Sequence, residues 1–236
     1  MYIYGKNPVR QLFLEHKEMK ELVLAVNDKE LESFAQRNHV RVRKTDKKNL
    51  TKITGTDRHQ GVAAEVSDYK TYSLEEIMQV GNGKHGLLIL LDELEDPHNL
   101  GAILRSADAI GATGVIFKKT HAVGLTPTVA KVSAGAIDTV KCAAVTNLSR
   151  AIETLQKNGW WVVGTDMNGE DYRKLKYDFN CVLVIGNEGK GISRLIREKC
   201  DYVVKIPMVG KIESLNASVS AGVLMYGIFN ARNPLQ

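Results

Sequence analysis

The chain has 236 residues, 44% of them hydrophobic and 25% charged, with a formal net charge of +5; that is enough apolar material for a buried core and a length that suits two domains better than one. No apolar run is long enough to span a bilayer, and the opening MYIYGKNPVR lacks the apolar stretch of a signal peptide, so a soluble, cytoplasmic protein is expected. Cys142, Cys181 and Cys200 stand far apart without a CxxC spacing, and the six histidines form no HExxH or Cys/His cluster, so structural thiols and no metal site are expected.

In chain order, the first segment reads as a small α/β unit: a helix in NPVRQLFLE, a strand in ELVLAV, a helix in KELESFAQRN, and strands in HVRVRK and GVAAEV. It is expected to span residues 1–68. The positive excess is concentrated here, since residues 1–70 hold 14 Lys/Arg against 10 Asp/Glu. It is sharpest between Arg37 and Arg58, where Arg41, Arg43, Lys44, Lys47 and Lys48 are the candidate contacts to a polyanion, most simply RNA or DNA. A solvated surface loop is the competing reading of the same charges.

Residues 69–85, with polar and glycine punctuation around a short helix, read as a linker. From residue 86 to 236 the apolar runs LLILLDEL, GVIF, VKCAAV, WWVVGTD, CVLVIG and YVVKIP alternate with helical patterns. That alternation predicts a mostly parallel sheet with helices on both faces, an α/β fold. Ligands of such sheets gather beyond the carboxyl ends of the strands, which directs attention to three segments.

After the first of these strands, Leu100, Ile103, Leu104, Ala107 and Ile110 recur at helical spacing, with Asn99 just ahead of them as a candidate cap and Arg105 off the stripe, free to line a pocket or to pair with Asp108. After the fifth, GNEGKGIS has Gly186 and Gly191 at GxxxxG spacing, but Ile192 stands where a phosphate-binding loop needs lysine, which argues against a nucleoside triphosphatase. Its glycines permit close backbone approach to a ligand, with Glu188 held in the turn. After the sixth, IPMVGKIESLNASVSAG crowds Ser214, Asn216, Ser218 and Ser220 into a helix start, and Ala217, Ser218, Ser220, Ala221 and Gly222 keep one helix face thin.

In order, NLGAILRSADAIGA (99–112), VIGNEGKGIS (184–193) and IPMVGKIESLNASVSAG (206–222) resemble the three motifs of the SpoU/TrmH family of RNA ribose 2′-O-methyltransferases, in the SPOUT superfamily. The YGKNPV opening is similar to the substrate-binding domain of the branch that modifies a guanosine of 23S rRNA. The resemblance implies a small N-terminal RNA-binding domain, a C-terminal domain tied in a deep trefoil knot, S-adenosylmethionine as cofactor, rRNA as partner, and a homodimer through the knotted domain. It also implies catalytic positions at Asn99, Arg105, Glu188, Ser214 and Asn216, and cofactor contacts at Gly186, Ile206 and Leu215 with Thr165, Asn187 and Met208 as neighbours.

Because a guanidinium stays protonated, Arg105 is expected to bind a substrate phosphate and stabilise charge on the attacking oxygen rather than act as a base. The alternatives are 2′-O-methylation of tRNA or another rRNA nucleotide, and an RNA-binding or assembly factor that retains the fold without catalysis.

Overall fold

The computed structural model describes residues 1–14, 17–79, 85–212 and 214–235. They fall into two compact units, Met1–Asp68 and Tyr69–Gln236.

The first unit comprises β1 (Tyr2–Tyr4), α1 (Lys6–Leu14), β2 (Met19–Leu24), α2 (Lys29–Arg37), β3 (Arg41–Lys44), α3 (Lys47–Thr54) and β4 (Val62–Val66). Its sheet runs β1-β4-β2-β3, antiparallel except for the β2–β3 pair. The period of two in β2 decides the layers. Leu22 and Leu24 pack with Val9, Leu12 and Phe13 of α1 and Leu31 and Ala35 of α2, while Val23 faces Leu50 of α3 across the sheet. Two elements escape the pattern reading. β1 is short, and α3 lies inside the basic run, where Leu50 is its one buried residue and leaves almost no apolar stripe.

The second unit holds α4 (Leu74–Ile77), β5 (Leu87–Leu91), α5 (Pro97–Ala109), β6 (Gly114–Lys118), α6 (Pro127–Ser133), α7 (Ala136–Thr139), β7 (Cys142–Val145), α8 (Leu148–Lys157), β8 (Trp160–Asp171), β9 (Asn180–Ile185), α9 (Arg194–Arg197), β10 (Tyr202–Lys205) and α10 (Ala217–Arg232). Its six strands are parallel in the order β10-β8-β9-β5-β6-β7. Both faces are covered, so β5 is buried at every position: Leu87, Ile89 and Leu91 pack under α5, α6, α7 and α10, and Leu88 and Leu90 under α4, α8 and α9. Each such side chain contributes about 1.5–3 kcal/mol by leaving water. The expected α/β architecture with a mostly parallel sheet is therefore present, with α9 reduced to a single turn at residues 194–197.

Of the segment read above as a linker, residues 80–84 lie outside the described residues. Tyr69 through Met78 pack on the second unit: the Tyr72 N–H donates to the Cys142 carbonyl at 2.8 Å, and Ile77 is fully buried among Leu88, Leu90 and Ile116. The end of α10 is fastened by Arg232, whose guanidinium donates to the carbonyls of Tyr177 (2.9 Å), Phe179 (2.7 Å), His85 (3.0 Å) and Gly86 (3.2 Å). These bonds fix α10 beneath the starts of β5 and β9, so that its other end reaches the carboxyl ends of the strands.

Candidate active site

Beyond the carboxyl ends of β8, β9 and β10 lies a cleft of about 750 Å³, within the range of small-molecule and cofactor sites. Three segments wall it. The first is an excursion within β8. β10 pairs with Val163 and Gly164 and then resumes with Glu170 and Asp171, so Thr165 to Gly169 leave the ladder and carry Thr165, Asp166, Met167 and Asn168 to the cleft wall. The return is close. A Cβ on Gly169 would stand 2.6 Å from the Val204 carbonyl carbon, so glycine is required there. Thr165 donates its hydroxyl to the Val184 carbonyl at 3.0 Å and ties the excursion to β9.

The second wall is the loop 186–192. Asn187 and Gly191 exchange both backbone hydrogen bonds, at 3.0 and 2.9 Å, and Gly191 adopts φ +67° to close the turn. At Gly186 a Cβ would fall 2.1 Å from the Gly191 carbonyl carbon. Outside residues hold the loop in place. The Asp92 carboxylate, 3% exposed at the end of β5, accepts from the Ser193 N–H at 2.7 Å, and the Glu93 carbonyl accepts from the Asn187 side-chain amide at 3.1 Å. Glu93 itself has φ +57°, a left-handed conformation that carries strain for a residue with a side chain. Asn99, 5% exposed, donates its side-chain N–H to the Glu188 carboxylate and so joins the first motif to the second.

The third wall is the stretch after β10. Ile206, Pro207, Met208, Gly210, Lys211, Ile212, Ser214 and Leu215 line the cleft, followed by Ala217, Ser220 and Leu224 of α10. Among the described residues, none hydrogen-bonds the backbone of 207–212, 214 or 215, and Met208, Val209 and Ile212 are exposed despite being apolar. A loop with free backbone donors and acceptors and uncovered apolar side chains is suited to fold against a ligand that is polar at one end and flat and apolar at the other.

The structure thus brings Thr165, Gly186, Asn187, Glu188, Ile206, Met208, Ser214 and Leu215 to one cleft, with Asn99 bonded to Glu188 at its side. Several expectations need correction. Asn99 does not cap α5: Asp96 does, accepting from the His98 N–H at 2.8 Å with Pro97 in the first turn, so Asn99 lies inside the helix and its amide is free for Glu188. Arg105 is exposed, does not line the cleft, and its side chain has no hydrogen bond or ion pair to a described residue; Asp108 instead accepts from the Thr139 hydroxyl at 2.6 Å. Asn216 also does not line the cleft. It caps α10, its side-chain oxygen accepting from the Ser218 N–H (2.9 Å), the Val219 N–H (3.3 Å) and the Ser218 hydroxyl (2.6 Å). The thin face of α10 is in part turned inward, because Ala217 and Ala221 are buried in the unit's own core.

Asp92 and Glu93 escaped the sequence reading; the signal was an acidic pair closing an otherwise wholly apolar strand. Burial pushes the thiols of Cys142, Cys181 and Cys200 up to about 12, so none supplies a thiolate at neutral pH. Among the described residues no group of three or more His, Cys, Asp or Glu is placed to hold a metal ion, and no helix is long and apolar enough to cross a membrane. In the first unit the candidate RNA contacts divide. Arg43 bonds Glu21 at 2.7 Å, Arg41 reaches the same carboxylate at 3.5 Å and Lys44 pairs with Glu32, whereas Lys47 and Lys48 have no acidic partner among the described residues.

Fold and cleft define an α/β protein with a cofactor-sized site at the strand ends of its parallel sheet and a separate small α/β unit. The chain belongs to the SpoU rRNA methylase family, whose model matches residues 86–226, while residues 2–72 match the RNA 2′-O ribose methyltransferase substrate-binding model. It is accordingly an RNA methyltransferase. Over 242 residues it is 43% identical to YacO of Bacillus subtilis (strain 168), assigned by its name to the TrmH family of tRNA/rRNA methyltransferases, covering 99% of this chain and 97% of that one. A relative of the same family name from Staphylococcus aureus (strain COL) is 42% identical over 98% of this chain and 96% of its own. Among solved structures, the SpoU methyltransferase AviRb of Streptomyces viridochromogenes in complex with AdoMet superposes with TM-score 0.66 and 25% identity, covering 99% of this chain and 90% of that one. The A. aeolicus TrmH/SpoU tRNA modifying enzyme gives TM-score 0.58 and 27% identity, covering 68% and 81%.

Proposed function

We propose that this protein transfers a methyl group from S-adenosylmethionine to the ribose 2′-OH of a guanosine in 23S rRNA, in the cytoplasm, as a homodimer whose second unit is threaded as a deep trefoil knot. The observation that carries the reading is the cleft itself: the family's second and third motifs, 184–193 and 206–222, converge on it, and the first is joined to it by the bond from Asn99 to Glu188. The separate basic N-terminal unit favours ribosomal RNA over tRNA.

The residues present fit the cofactor. Gly186 and Gly191 bring backbone to the cleft edge, the free backbone of 207–212, 214 and 215 can bond the polar parts of an adenosine, and Ile206, Met208 and Leu215 offer apolar contact. When bound, S-adenosylmethionine supplies an electrophilic methyl group on a sulfonium. The protein's part is alignment and charge. Asn99 fixes Glu188, and Glu188 with Ser214 orients the ribose; Asn216 sets the start of α10 and with it the course of the third wall. Arg105 binds the substrate phosphate and stabilises negative charge on the attacking oxygen, while the proton leaves through a neighbouring group or water.

If charge is what Arg105 supplies, Arg105→Lys keeps methyl transfer within about tenfold of wild type while Arg105→Ala loses about 10²–10³-fold. Equal losses in the two variants would assign the role to guanidinium geometry or proton transfer instead.

For the dimer, α10 provides an exposed apolar stripe at helical spacing, Val219, Tyr226 and Phe229, interrupted by the small Gly222. Sedimentation at micromolar concentration is expected to read twice the chain mass, and Tyr226→Asp to shift it toward one. A wild-type protein sedimenting as a single chain contradicts the homodimer.

The reading as a whole is tested by incubating the protein with labelled S-adenosylmethionine and total RNA from cells lacking it, then mapping the 2′-O-methylated position. Label in a 23S guanosine is expected. Label in tRNA would move the substrate assignment, and label in no RNA would favour a non-catalytic assembly factor.

A further inference from the structure

The basic run of the first unit is sorted by its partners. Arg41 and Arg43 share Glu21, Lys44 is paired with Glu32, and Arg37 lies 6.0 Å from the Phe34 ring centre. The remaining cations, Lys47, Lys48, Lys52 and Arg58, are exposed and form no ion pair with a described residue. All four stand on α3 and the loop that follows it. Of the two acids there, Asp46 is occupied as the cap of α3, accepting from the backbone and side-chain N–H of Asn49 at 2.8 and 2.7 Å, and Asp57 is exposed beside Arg58.

Two features argue against a merely solvated face. First, Lys47 and Lys48 occupy the first turn of α3, which contains no acid. The helix dipole disfavours cations at that end, so helix stability does not account for them. Second, the loop carrying Arg58 is pinned to the helix. His59, 3% exposed, accepts from the Gly61 N–H at its Nδ1 (2.9 Å), which leaves the proton of a neutral ring on Nε2 to donate to the Thr51 hydroxyl at 3.0 Å. Thr54 donates to the Thr56 carbonyl at 2.9 Å, and the Arg58 N–H bonds the Thr56 hydroxyl at 3.3 Å. The guanidinium and the lysines therefore project from one braced scaffold, so ordering them on a polyanion costs less than ordering a free loop.

We infer that α3 and its following loop are the surface by which the N-terminal unit grips the RNA phosphate backbone, through Lys47, Lys48, Lys52 and Arg58, and that the cations of β3 serve the fold instead. The inference rests on the RNA-methylating reading above and deepens it. The contacts are to phosphate, so they supply affinity and salt dependence without base specificity.

Filter binding of the full chain to deproteinised large-subunit rRNA between 50 and 300 mM KCl tests it. Each phosphate contact removed is expected to lower the slope of log affinity against log salt by about 0.7–0.9. A Lys48→Gln/Lys52→Gln/Arg58→Gln variant should lose about 2–3 from that slope and bind at least about tenfold more weakly at 150 mM. The charge-matched Arg41→Gln/Arg43→Gln/Lys44→Gln variant should keep the wild-type slope to within about 0.5 while melting at lower temperature, since Glu21 and Glu32 lose their partners. Singly, Lys52→Gln and Arg58→Gln leave folding intact and should each remove about one contact's share. Unchanged slopes in the α3 variants, or a loss confined to the β3 variant, overturn the inference. A wild type that binds rRNA with the expected slopes but transfers no methyl group would instead sink the catalytic reading and leave the surface assignment supported.

Discussion

Methyl transfer by an Asn99→Ala variant is expected to fall about a hundredfold, the scale of loss when a group near the chemistry is displaced by about 1 Å. Asn99 is inside α5, 5% exposed, and its amide donates to Glu188 across 89 positions of sequence. Without that donor the carboxylate stays on the loop 186–192 but loses the bond that aims it. Glu188→Ala should cost at least as much. The sharper test is the double variant: if the two side chains act as one unit, it is no worse than the poorer single variant, because the interaction can be lost only once. Multiplied losses in the cycle would show that the two residues act independently and that their bond is incidental. Because Glu188 is exposed, the melting temperature should move little, which separates this result from simple unfolding.

Gly186→Ala is expected to weaken S-adenosylmethionine binding by about a hundredfold or more, equivalent to about 3 kcal/mol. The added Cβ would sit 2.1 Å from the Gly191 carbonyl carbon and 2.3 Å from the Gly191 oxygen and the Ile192 nitrogen, all backbone atoms that cannot rotate aside. Relief requires breaking the paired hydrogen bonds between Asn187 and Gly191, which hold the second wall of the cleft. Gly124→Ala is the control, since nothing lies within 4 Å of its added Cβ. Equal binding by the Gly186 and Gly124 variants, measured by titration calorimetry, would mean that the loop does not form part of the cofactor site.

How much of this was legible in the sequence depended on what each residue's neighbours in space contribute. The apolar runs marked the buried strands because a parallel sheet covered on both faces needs continuous hydrophobic segments, as in LLILL at 87–91. The stripe Leu100, Ile103, Leu104 and Ala107 marked the buried face of α5 for the same reason. The excursion at Thr165–Gly169 was hidden, because leaving the ladder is dictated by the pairing of β10 with β8 and not by the composition of WWVVGTDMNG. The start of α5 was misplaced although DPHN contained the signal, an Asp followed by a proline in the first turn. Charge counting found the basic run but could not see Glu21 on β2 and Glu32 on α2 neutralising three of its five candidate contacts, Arg41, Arg43 and Lys44. Asn216 was read for its chemistry, and its side-chain oxygen turned out to serve the helix cap. Of the proposed catalytic positions, Arg105 is the one whose side chain a single chain leaves unpartnered and outside the cleft, so the role proposed for it rests on the assembled protein and its RNA.

A crystal structure of the protein grown with S-adenosylmethionine addresses the central claim most directly. The expected result is density for the cofactor enclosed by residues 165–168, 186–191 and 206–215, with the chain threaded as a knot around it. Density at any other place on the molecule, or a cleft closed by its own side chains with the cofactor bound nowhere, would contradict it.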